Sequence, residues 1–116
     1  MNFEKAKTLC RSFPGATEDI KWGADLVFSV GDKMFACLAA DNPTGIGFKV
    51  DDDRFLELTD RPGIIPAPYL ARVKWVRVEK ASALSDKEAG ELLRRSYELV
   101  FSKLTRKLQR EIEAAA

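Results

Sequence analysis

From Lys21 to Val50 the chain alternates apolar and polar positions in a way that predicts an antiparallel meander. Val30-Gly31-Asp32-Lys33 has the two-residue Gly-Asp connection that closes a tight hairpin. Pairing Val30 with Lys33 sets Phe28 opposite Phe35 and Leu26 opposite Cys37. Directly opposed residues share a sheet face, so these four form one apolar face. Asp41-Asn42-Pro43-Thr44 carries strong turn chemistry. Pairing Ala40 with Gly45 then places Phe48 opposite Cys37 and Val50 opposite Phe35. The other face collects Val27, Ser29, Met34, Ala36, Leu38, Gly47 and Lys49, smaller and less apolar residues.

The flanking segments supply helices and further strands. Phe3, Ala6, Leu9, Cys10 and Phe13 recur at helical spacing, predicting a helix over residues 2–13 that Pro14-Gly15 ends. Its polar side is basic on balance. A short strand is expected over Asp19–Trp22, with Trp22 joining Ile20 on the apolar face, and Gly23-Ala24-Asp25 turning into the meander. One aspartate of Asp51-Asp52-Asp53 is expected to cap a short helix. A divalent-cation site is the other reading, but the run lacks the alternating ligands and turning glycine of such loops. Arg61–Pro68, with three prolines and a glycine, is expected to be irregular. Its Ile64 and Ile65 either pack over the sheet or form a recognition surface. Val73–Glu79 reads as a fifth strand, with Trp75 and Arg77 on the more open side. Ser85-Asp86-Lys87-Glu88 is a capping box. Behind it one apolar face runs through Ala89, Leu92, Leu93, Ser96, Leu99, Val100, Leu104 and Leu108. That predicts a single long helix, fraying from Arg110.

Composition narrows the chemistry. With 116 residues there is room for one ordinary core. Lys and Arg total 19 against 18 Asp and Glu, a net charge of +1, so any basic surface must be local. Absence of histidine removes the Ser-His-Asp and Cys-His schemes and His-ligated zinc. Cys10 and Cys37 both fall on predicted apolar faces and read as buried thiols. No segment has the roughly 20 apolar residues needed to span a bilayer, and the N-terminus lacks a signal-peptide core. A cytoplasmic location is expected.

Two features could carry function, and an active site is a third, weaker candidate. Arg95, Arg106 and Arg110 share a flank of the last helix, with Lys103 near them. They could meet phosphates or simply form a solvated face. Lys21, Lys49, Arg77 and Trp75 would lie on the less apolar sheet face, placed to pair with phosphates and stack on bases, or to rim a face that the Ile64-Ile65 loop covers. No nucleophile–base pair, phosphate loop or metal signature is present.

The whole chain resembles the MmcQ/YjbR family of small bacterial proteins. The resemblance runs from the first helix to about Leu108. It is carried by Phe13-Pro14-Gly15-Ala16-Thr17-Glu18, Trp22-Gly23, Leu26-Val27-Phe28-Ser29-Val30 with Lys33-Met34-Phe35-Ala36, and Phe48-Lys49-Val50. Pro62-Gly63-Ile64-Ile65-Pro66-Ala67-Pro68-Tyr69 and Lys74-Trp75-Val76 complete it. It implies an α+β, two-layer CyaY-like or double-wing domain over residues 1–116. About five antiparallel strands would carry the N- and C-terminal helices on one face. The family is described as DNA-binding, which implies a non-enzymatic DNA-binding protein contacting DNA through Lys21, Lys49, Lys74, Trp75 and Arg77. The alternative is a protein-interaction or small-ligand module using Ile64, Ile65 and Tyr69 with the adjacent sheet face. No catalytic residue, metal or cofactor is expected, nor a membrane partner, and a monomer is favoured.

Overall fold

The meander forms, but its third strand holds one residue more than strict alternation allows. The computed structural model describes residues 1–23, 25–38 and 45–116. The expected Asp41–Thr44 turn, the Ala40–Gly45 pairing and Ala24 lie outside the described residues. In chain order the elements are α1 (Phe3–Ser12), β1 (Thr17–Lys21), β2 (Asp25–Val30), β3 (Lys33–Leu38), β4 (Ile46–Lys49), α2 (Asp52–Thr59) and β5 (Ile64–Pro66). After them come β6 (Trp75–Val78), α3 (Asp86–Phe101) and α4 (Arg106–Ala115), with short 3-10 turns at Ala71–Val73 and Ala81–Ala83. The described strands form one antiparallel sheet in the order β1-β2-β3-β4-β6-β5. The helices pack on one side of it, giving the expected two-layer α+β fold with one strand more than expected. The extra strand is β5, inside the segment expected to be irregular. Its Ile64 and Ile65 pair with Val78 and Arg77, and its Pro66 is tolerated because β5 is an edge strand.

The hairpin turn is as expected, with Val30 opposite Lys33 and Ser29 opposite Met34. Between Ser29 and Phe28 the register slips, so Phe28 faces Ala36, Val27 faces Cys37 and Leu26 faces Leu38. Phe35 is the inserted residue of a β-bulge, turned into the core beside Phe13, Phe28 and Tyr97. The slip carries into the next pair, where Phe48 meets Ala36 and Gly47 meets Cys37. Three expectations are therefore corrected: Ala36 and Leu38 belong to the helix-covered face, and Cys37 to the open one.

A bulge leaves ladder groups unpaired, and α3 supplies the partner. Ser96, fully buried, donates its Oγ hydrogen to the Phe35 carbonyl oxygen at 2.7 Å and accepts from the Lys49 N–H at 3.0 Å. One hydroxyl thus bridges β3 and β4. Its place on the apolar stripe of α3 follows from the bulge rather than from hydrophobicity.

The capping box starts α3 as the sequence demands, with Ser85 accepting from the Glu88 N–H and Glu88 accepting from the Ser85 N–H. The helix does not run on to Leu108. It ends at Phe101, and Thr105 caps α4 by accepting from the Leu108 N–H. Gln109 Nε2 donates to the Phe101 and Leu104 carbonyls, tying α4 back to the end of α3. Leu104 and Leu108 still pack on the core, so the apolar period runs through a break that it does not reveal. They lie over Gly31, in the β2–β3 turn, where a Cβ would sit 2.7 Å from Leu104 Cδ1. The break also separates Arg95 from Arg106 and Arg110. Arg95 instead forks onto both carboxylate oxygens of Asp51 at 2.9 Å. Asp51 holds the N-cap position of α2 without a capping side-chain bond, because its carboxylate is committed to α3.

A cleft on the open sheet face

Antiparallel pairing lines up Asp19, Val27, Cys37, Gly47, Arg77 and Ile65 as a row across the six strands, on the side away from the helices. The neighbouring pairs put Lys21 beside Asp25 and Lys49 beside Trp75. Part of this face is roofed. Ala67 donates its N–H to the Trp75 carbonyl and Trp75 donates its own to the Leu70 carbonyl, at 3.0 and 3.1 Å. These bonds fold the segment 67–70 back over the start of β6. Val27, Ala67 and Trp75 are buried there, apart from the main core.

Between roof and sheet lies a cleft of about 560 Å³, lined by Asp25, Cys37, Gly45, Gly47, Ala67, Pro68, Tyr69, Leu70, Trp75 and Arg77. Gly47 keeps it open: a Cβ there would approach no heavy atom closer than 3.5 Å, so the missing side chain leaves room rather than relieving a clash. A second groove of about 490 Å³ shares Asp25, Cys37, Pro68, Tyr69 and Leu70, and adds Trp22 and Met34. Cleft and groove form one depression across β2, β3 and β4.

Its chemistry is apolar and aromatic with few charges. The Cys37 thiol is pushed up to about 11 by burial, then by the Asp25 carboxylate, with Arg77 opposing. At neutral pH it is a thiol and not a nucleophile. Among the described residues no cluster of three or more His, Cys, Asp or Glu could hold a metal ion. No described helix is long and apolar enough to cross a membrane.

The eight residues singled out from the sequence do not converge. Arg77, Trp75 and Tyr69 line the cleft. Trp75 is only 5% exposed, so its face is closed to outside rings while the roof stays in place. Lys49 lies beside Trp75 and donates to the Val73 carbonyl. Lys21 ends β1, exposed, across from Asp25. Lys74 stands in left-handed backbone with its Nζ 5.1 Å from the Phe55 ring centroid of α2, so it serves the helix layer. Ile64 is buried in the core and cannot meet a partner, whereas Ile65 lies half-buried on the open face. Sequence reasoning missed Trp22 as a lining residue. Ile20 pairs with Leu26 and Lys21 with Asp25, leaving Trp22 in the turn, 71% exposed. An aromatic directly before a turn glycine was the available signal.

An open-faced antiparallel sheet, helices on one side and a roofed cleft on the other define a small two-layer α+β domain. The family model for YjbR matches residues 11–99, and the chain belongs to that family. The crystal structure of a Deinococcus radiodurans protein with a DUF419 domain is similar, at 28% identity and a TM-score of 0.83. That match covers 97% of this chain and 88% of that one. A Pseudomonas syringae protein, 24% identical, shares the fold with a TM-score of 0.70, covering 86% of this chain and 99% of its own. No curated protein matches.

Proposed function

We propose that this chain is a non-enzymatic binding module whose ligand is a small, flat, largely apolar molecule seated in the cleft. One observation supports this above the others: a depression of about 560 Å³, walled by Trp75, Pro68, Tyr69 and Leu70, with the charges of Asp25 and Arg77 in it. Ligand sites have this size and this mixture of apolar wall and few polar groups.

Anilinonaphthalene sulfonate, aromatic and anionic, is the probe. It should bind saturably at one site, and Gly47→Val should remove that binding while the fold persists. The β-carbon has room, and a β-branched residue suits a strand better than glycine. Dye binding indifferent to Gly47→Val would refute the cleft as the site.

Nucleic-acid binding is a second reading, favoured by exposed Lys21 beside exposed Trp22 and by the family's description. Against it, Lys49, Lys74 and Trp75 are engaged within the fold. Titrating fluorescent duplex and single strand over several salt concentrations decides it. Real phosphate contacts give affinity that falls steeply with salt and is lost in Lys21→Glu.

A further inference from the structure

Trp22 and Tyr69 share an unusual combination of features. Both hold left-handed backbone, φ 50° and 67°, which bulky side chains disfavour because Cβ crowds the following carbonyl. Burial does not offset this, because Trp22 is 71% and Tyr69 103% exposed. They come from turns 47 positions apart in sequence, yet both line the same groove of about 490 Å³. Asparagine or glycine would suit either turn better. Strained residues of this kind gather at ligand clamps.

The open face carries a small excess of positive charge. Lys21, Lys49 and Arg77 stand on it against Asp19 and Asp25. Arg77 is the one cation among the described residues lining the cleft, and a guanidinium offers five donors in a planar fork suited to carboxylates.

We infer that Trp22 and Tyr69 are the jaws of an aromatic clamp that takes the planar ring of an aromatic anion, its charged group directed along the depression toward Arg77. This rests on the cleft reading above and adds the ligand class and the residues that select it. Stacking on aromatic faces requires a flat π-system, so the clamp discriminates by ring planarity and not by size alone.

The full chain is titrated with naphthoate and with decahydronaphthoate, its saturated counterpart of equal charge. Naphthoate should bind and quench the emission of exposed Trp22. The saturated compound should bind about tenfold more weakly, and Trp22→Asn and Tyr69→Asn should each weaken naphthoate by about tenfold. Both variants should melt at or above the parent temperature, because asparagine accepts left-handed backbone. A lower melting temperature in both would mark the aromatics as structural supports and overturn the clamp. Equal affinity for the two compounds, or naphthoate affinity unchanged in both variants, would overturn it too. The two readings fail separately. Dye binding lost in Gly47→Val with naphthoate indifferent to the jaws removes the clamp alone, and no binding of either probe removes both.

Discussion

Ser96 shows how one polar atom holds two strands. Replacing it by alanine leaves the Phe35 carbonyl and the Lys49 N–H buried without their partner. Stranded buried groups cost about 1–3 kcal/mol, so Ser96→Ala should lower the urea-unfolding free energy by that amount. A change within a few tenths of a kcal/mol would mean that water reaches the bulge. The sequence placed Ser96 on the core-facing stripe of α3, but its purpose was unreadable there, because it answers a register slip in another element. The same slip explains why Cys37 was assigned to the wrong face. Alternation reports which residues differ from their neighbours, and Phe35 and Ala36, both apolar and adjacent, conceal an inserted residue. Trp75 and Arg77 were placed correctly because β6 alternates without interruption.

Among the elements, those set by local chemistry were legible and those set by distant contacts were not. The capping box fixed the start of α3, and Pro14-Gly15 the end of α1. The end of α3 depends on Gln109 reaching back to Phe101, a contact no window of apolar periodicity registers. α4 lies beyond the residues that match the family model, and its Leu108 sits on the β2–β3 turn together with Leu104 of the preceding link. Gly31 makes that seat possible, with φ 55° and no room for a Cβ. Gly31→Ala should therefore destabilise by about 1–2 kcal/mol through backbone strain and displaced leucines, read as a lower chemical-denaturation midpoint. An unchanged midpoint would show that α4 contributes nothing to the fold.

At the scale of the whole molecule, stability should have a shoulder at each end of the pH range. Arg95, Arg61, Arg11 and the Asn2 N–H hold the carboxyls of Asp51, Glu88, Glu18 and Asp86 below their ordinary values. Unfolding releases those partners, so the unfolded chain takes up protons first as acid is added. The stability from these contacts is present above about pH 4 and is lost as pH falls through the lower folded values. The thiols and the phenol shift the other way, because burial outweighs any partner there: it pushes Cys10 to about 12 and Cys37 to about 11, and raises Tyr97. Unfolded thiols ionise first, so stability should fall as pH climbs from about 9 toward 11. Urea midpoints measured across pH should show a plateau between the two arms. High salt should flatten only the acid arm, whose ion pairs are exposed. Midpoints that rise between pH 9 and 11 would contradict the burial of the thiols. The bulge in β3 also has a consequence for how this chain can change. Substitution along β3 alters one side chain at a time, and removing Phe35 would restore plain alternation, with Ala36, Cys37 and Leu38 still opposite Phe28, Val27 and Leu26. Cys37 would stay in the cleft and Leu38 in the core, so the bulge lets this strand carry one more aromatic ring inside without altering what a ligand meets outside.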